Sequence, residues 1–161
     1  MFYLGKFKSK NKEFFGKYIP KEELVYPIES IFYPNVVGLP LKFKDLKPIL
    51  FANPSKVIAV GKNYKAHAKE FDSVVPKEPL LFLKAPTSVT GPEEEIIMPK
   101  WAGQVDYEGE IALVIKKEGF KIKEKDALDY ILGFTGANDV TARELQRKDG
   151  QWSRAKSFRT F

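Results

Sequence analysis

Apolar and polar positions along this chain recur in short runs, not in long amphipathic stripes. The first fifty residues hold the aromatic-rich stretches Phe2–Phe7, Phe14–Ile19 and Leu24–Phe32, broken by lysines and prolines. Such runs predict short strands joined by turns. Leu39–Leu50 then leads into Asn53-Pro54-Ser55, a turn signal that sets a boundary near residue 52. Residues 1–52 are thus expected as a small β-rich subdomain and residues 53–161 as a second domain. There, Lys56–Gly61 is a short apolar run with β-branched residues, expected as a buried strand. Tyr64, His67, Ala68 and Phe71 follow at i, i+3, i+4 and i+7, one face of a helix over Asn63–Phe71. Pro76 and Pro79 predict a loop, Leu80–Lys84 a strand, and Val105–Ile115 the strongest strand in the chain. Between them Thr87–Met98 reads as a loop that admits a short strand at Ile96–Met98. Glu124–Leu132 reads as a short helix ending at Gly133, and Phe134–Ala137 as a strand or turn. Thr141–Lys148 reads as a helix opened by a Thr141-Ala142-Arg143-Glu144 capping box. The pattern is that of an α+β, mostly β fold with few short helices.

Composition narrows the chemistry. With 161 residues, 43% hydrophobic and 30% charged, the chain has the mix of an ordered globular protein. The absence of cysteine excludes a disulfide scaffold, a thiolate metal site and a thiol nucleophile. A single histidine, His67, excludes histidine-rich metal sites. No apolar run approaches the roughly 18 residues of a membrane span, and charges interrupt the N-terminus where a signal peptide would be continuous. A cytoplasmic protein with no membrane partner is expected. Lys+Arg 27 against Asp+Glu 21 leaves a net charge of +6. Arg143, Arg147, Lys148, Arg154, Lys156 and Arg159 form the densest basic cluster, which keeps a nucleic-acid or anion-binding module as an alternative. Against it, Trp152 and Phe158 are too few and wrongly interleaved for a stacking platform.

Candidate catalytic groups follow from spacing. Successive strand side chains alternate faces, so Glu108 and Glu110 project the same way from Val105–Ile115, and Asp106 shares that face. Paired carboxylates in an apolar strand suit a hard divalent cation; solvated acids at an exposed strand end fit the spacing equally well. Asp139, just before the last helix, is a third carboxylate, though locally a helix-start residue is the simpler account. His67 and Glu70 lie three apart on one helix and can touch, as an oriented general base requires; a core histidine satisfied locally is the alternative. Lys84 and Lys156 suit oxyanion stabilisation if they enter a site, and are otherwise solvated lysines. Arg143 and Gln146, at i and i+3, either reach one ligand or form a polar helix face.

Together these residues carry a resemblance. GKNYKAHAKE (61–70), PLLFLKAPTSVTGP (79–92), VDYEGEIALVI (105–115), GFTGANDVTARELQ (133–146) and QWSRAKSF (151–158) resemble, in order and spacing, the fumarylacetoacetate hydrolase family. The resemblance implies a mixed β-roll, a homodimer, and hydrolysis, decarboxylation, isomerisation or dehydration of 2-oxo acids or 1,3-dicarbonyl compounds. It implies Glu108, Glu110 and Asp139 as ligands of Mg²⁺ (or Mn²⁺, with Ca²⁺ in some members), and His67 with Glu70 as the base dyad. Lys156 matches the lysine beside the labile bond; Lys84, Arg143 and Gln146 match positions near the substrate. Two departures stand out. Arg159 occupies a position that is often aspartate. Family chains also continue past KSFxTF with further strands, whereas this one stops at Phe161. A truncated member lacking the last strands is expected, with an inactive remnant as the alternative to an enzyme.

Overall fold

A computed structural model describes residues 1–64 and 76–161. In chain order the first strands are β1 (Tyr3–Ser9), β2 (Lys12–Ile19), β3 (Leu24–Ile28), β4 (Leu41–Lys42), β5 (Lys47–Ile49) and β6 (Val57–Gly61). Then come β7 (Leu80–Lys84), β8 (Val105–Asp106), β9 (Gly109–Ile115), β10 (Ile131–Asn138), β11 (Thr141–Ala142) and helix α1 (Arg143–Asp149). The fold is mostly strand with few short helices, the class the pattern predicts. Most of the helix expected over Asn63–Phe71, with His67 and Glu70, lies outside the described residues. The chain forms two compact units, and they do not divide it at one point.

The first unit comprises Met1–Ala52, Gly91–Glu94 and Gly109–Ala137. Its main sheet is antiparallel in the order β4-β3-β2-β1-β5. Ser9 pairs with Lys12, so Lys10 and Asn11 alone make the β1–β2 turn, and Lys10 takes a left-handed φ of 50°. Two-residue hairpin loops demand such a conformation. Phe7, Val25 and Ile28 are buried. Phe7 and Val25 meet over Gly16: a Cβ there would lie 2.4 Å from Val25 and 2.9 Å from Phe7. β9 and β10 pair in a second sheet. The helix expected at Glu124–Leu132 is a 3-10 helix over Glu124–Tyr130, and β10 runs on through Gly133. Ile131, Phe134 and Thr135 favour extended backbone, and no neighbour crowds Gly133.

The second unit comprises Asn53–Thr90, Glu95–Glu108 and Asn138–Phe161. β6 and β7 pair antiparallel, as do β8 and β11. Ala102, Val140, Ala142, Leu145, Ala155 and Phe161 form its core, with Val105 and Phe158 packed against them. Gly150 closes α1 in the left-handed conformation, φ 65°, that glycine adopts without strain. Where a buried strand is expected, β6 has Val57 and Ala59 half-buried, Gly61 buried, and Ile58 and Val60 exposed. No strand forms at Ile96–Met98.

Two further expectations are corrected. The single strand Val105–Ile115 is broken at Tyr107–Glu108: β8 pairs with β11, whereas β9 pairs with β10. At the break, Glu108 N–H donates to the Asn138 side-chain oxygen at 3.0 Å, and Asp139 N–H donates to the Glu108 carbonyl at 2.8 Å. One continuous strand face shared by Asp106, Glu108 and Glu110 therefore does not exist. The capping box does not form either. Thr141 belongs to β11, α1 starts after Ala142, and no side chain caps it. The Thr141 hydroxyl instead accepts from Lys156 Nζ.

Candidate active site

The second unit gathers charged side chains where a core would be apolar. Lys84 closes β7; the alternation that sends Leu81 and Leu83 outward turns Phe82 and Lys84 inward. Asp139 and Thr141 flank Val140 at the entry to β11, and Glu108 sits at the break after β8. Lys156 lies in the segment after α1 and is 2% exposed, among the most buried side chains of the chain. An unpaired ammonium there would be prohibitive. Lys156 Nζ donates to Asp139 Oδ2 at 2.6 Å, Thr141 Oγ1 at 2.7 Å and Glu108 Oε2 at 3.1 Å. Lys84 Nζ donates to the other Asp139 oxygen. Burial pushes the Lys84 ammonium below its ordinary value, and Asp139 opposes that shift. The Lys156 ammonium also stands 5.2 Å from the centre of the Phe82 ring.

Arg143, the first residue of α1, continues the network. Its Nε donates to Asp106 Oδ2 at 2.7 Å, and its Nη1 lies 2.6 Å from Glu108 Oε1 and 3.0 Å from Gln146 Oε1. Burial works against the guanidinium charge, but Asp106 and Glu108 outweigh it and hold Arg143 above the usual arginine value. The Arg143 bond, and after it the Gln104 bond, hold the Asp106 carboxyl below the ordinary range. Lys84, Asp139, Lys156, Glu108, Arg143 and Asp106 thus form a chain of alternating sign.

Of the residues singled out from the sequence, the structure brings together Lys84, Glu108, Asp139, Arg143, Gln146 and Lys156. Glu110 lies half-buried on β9, within the first unit. His67 and Glu70 lie outside the described residues. Asp106 and Thr141 join the cluster without having been singled out as site residues. The sequence pattern offers Asp106 only as a strand neighbour of Glu108, and Thr141 only as a helix cap. Among the described residues no three His, Cys, Asp or Glu side chains gather as a metal cage. Glu108 and Asp139 each point a carboxylate oxygen at one positive centre, Lys156 Nζ. Of the basic cluster, Arg143 and Lys156 are turned into this network, and Arg154 pairs with Asp149 on both its Nε and Nη2.

Residues 56–161 match the family described as fumarylacetoacetate (FAA) hydrolase C-terminal. The chain belongs to the fumarylacetoacetate hydrolase family. An uncharacterised protein of Archaeoglobus fulgidus is 55% identical to this family member over 118 residues, 73% of this chain and 46% of the relative. Mitochondrial oxaloacetate tautomerase fahd2 of Xenopus laevis is 47% identical over 118 residues, 72% of this chain and 36% of that protein. The crystal structure of 5-carboxymethyl-2-hydroxymuconate delta-isomerase from Mycobacterium smegmatis superposes with a TM-score of 0.85 at 40% identity. That match covers 99% of this chain and 62% of the isomerase. This fumarylacetoacetate hydrolase family chain thus spans half or less of the curated relatives described, and under two thirds of the solved structure. No helix among its described residues is long and apolar enough to cross a membrane.

Proposed function

We propose that this chain carries the site of a divalent-cation-dependent enzyme that moves a proton next to the carbonyl of a small 2-oxo acid, as in tautomerisation or isomerisation. The observation behind this reading is Lys156, buried yet held by Glu108 and Asp139. A buried, preorganised ammonium stabilises negative charge far better than one in water. An enolate oxygen is the charge such a reaction develops. The tautomerase and isomerase names of two relatives favour proton transfer over C–C cleavage.

Glu108 and Asp139 would hold Mg²⁺ or Mn²⁺. Bound there, the cation would supply Lewis-acid polarisation of the substrate's carboxylate and carbonyl oxygens. Arg143 keeps Glu108 oriented, and Gln146 keeps Arg143 oriented. Lys156 would donate to the developing oxyanion. His67, steered by Glu70 as the family resemblance implies, would take the substrate proton and return it to the neighbouring carbon. We further propose a cytoplasmic homodimer as the working form.

The test is the decay of enol absorbance for a panel of 2-oxo acids, oxaloacetate included, with MgCl₂ and with EDTA. Turnover that requires the metal is expected, with Lys156→Met lowering it about 100-fold. Rates equal to the uncatalysed reaction throughout, or a Lys156→Met protein as fast as the parent, would sink the reading.

A further inference from the structure

Thr141 is fully buried and sits where three strong groups meet. An ammonium carries three N–H donors. In Lys156 all three have acceptors: Asp139, Glu108 and the Thr141 hydroxyl. Two of these are carboxylates, and Thr141 is the neutral one. Having accepted from Lys156, the hydroxyl has one proton left. It faces Glu108 Oε1 at 3.1 Å and the Asp139 carbonyl at 2.9 Å, so that proton ties Lys156 either to the backbone or to the far oxygen of Glu108. Its strand fixes it there: Thr141 pairs with Asp106 across β8–β11, and Ala142 N–H donates to the Ala155 carbonyl next to Lys156.

We infer that Thr141 is a positioning residue, whose hydroxyl fixes the Lys156 ammonium between Glu108 and Asp139. The inference deepens the proposed function and rests on it for its catalytic consequence. Carboxylates that engage a second cation loosen their hold on an ammonium. A neutral hydroxyl has no such competing demand and keeps Lys156 in place. Valine has nearly the shape of threonine without the hydroxyl, and it would leave one buried N–H of Lys156 unanswered. Serine keeps the hydroxyl and loses only a methyl group.

The experiment uses the 161-residue chain and two readouts. In the first, Thr141→Val and Thr141→Ser are assayed on the 2-oxo acid the parent turns over. Thr141→Val is expected to lower kcat about tenfold or more, as a misplaced group does, with KM within about twofold. Thr141→Ser is expected to recover most of the rate. In the second, urea unfolding midpoints are measured for Thr141→Val, Lys156→Met and the double variant, without metal or substrate. Coupling between the two residues predicts that Thr141→Val lowers the midpoint in the parent but much less in the Lys156→Met background. Additive midpoints overturn the inference, as does a folded Thr141→Ser as slow as Thr141→Val. If the parent turns over no oxo acid, the enzymatic reading fails instead, and the unfolding cycle alone decides for or against Thr141.

Discussion

At the residue scale, the two buried lysines are compensated differently. Lys156 satisfies three acceptors, whereas Lys84 bonds Asp139 alone in the network, and its burial lowers its proton affinity. Removing one partner of a buried pair strands the other. Asp139 retains Lys156, so Lys84→Met is expected to cost about 3 kcal/mol by urea unfolding, the low end for breaking a buried pair. Asp106 is different: its side chain is 34% exposed and water can replace its bond to Arg143. Asp106→Asn is expected to cost under about 1 kcal/mol in the same measurement. Equal costs would show that the network is uniformly wet. This scale was the most legible from sequence for the acids and bases themselves. Glu108 stands out because charge in an apolar strand is unusual, and Lys84 because it ends one; Asp139 and Lys156 stand out only through the family resemblance. The Asp106–Arg143 pair and the Thr141 hydroxyl do not. Their partners lie 15 to 37 positions away, and local rules assigned Thr141 to a cap. A buried ammonium in need of a third acceptor outweighs a helix cap.

At the element scale, the break between β8 and β9 decides where Glu108 stands. Periodicity saw an unbroken run of alternating residues from Val105 to Ile115, and nothing local marks a change of pairing partner. What marks it is Asn138, whose side chain answers the Glu108 N–H left without a strand partner. Asn138→Ala should cost about 1 kcal/mol, the price of one such bond, and lower turnover through Glu108. A change in neither would mean that water serves there as well. Strands of the first unit were easier to read because hairpins are local. Gly16 is the exception, since its closeness to Phe7 and Val25 spans β1, β2 and β3. Gly16→Ala should destabilise by about 1–3 kcal/mol through overpacking, seen as a lower urea midpoint. At the C-terminal end of α1, the Arg154 bond holds the Asp149 carboxyl below its ordinary value. A depressed carboxyl stabilises the fold above its unfolded pKa, and the effect is lost as pH falls through the folded one. Asp149→Asn should therefore lower the melting temperature slightly near pH 7 and converge on the parent in strong acid. A gap that persists in acid would place the effect elsewhere.

At the scale of the whole molecule, the exposed apolar surface stands out. The runs Val57–Gly61 and Leu80–Lys84 are apolar at nearly every position, the pattern of strands covered on both faces. In this chain one face is covered. On the other, Ile58 lies opposite Leu83 and Val60 opposite Leu81, all four between 43% and 60% exposed. β9 shows the same alternation, with Ile111, Leu113 and Ile115 outward. Contiguous apolar surface of this kind is uncommon on a soluble monomer. The fold class was legible because it depends on such runs; which face stays uncovered was not, because a run apolar on both sides does not say what meets each side. The exposed face has a direct readout. The native chain should enhance the fluorescence of a hydrophobic dye well below its melting temperature. Replacing the cross-strand pair by threonine, Ile58→Thr with Leu83→Thr, keeps β propensity and removes apolar area from the centre of the face. Dye fluorescence should fall and the soluble concentration should rise, with the melting temperature little changed. A dye signal that the double variant leaves intact would show that this face is already covered in solution.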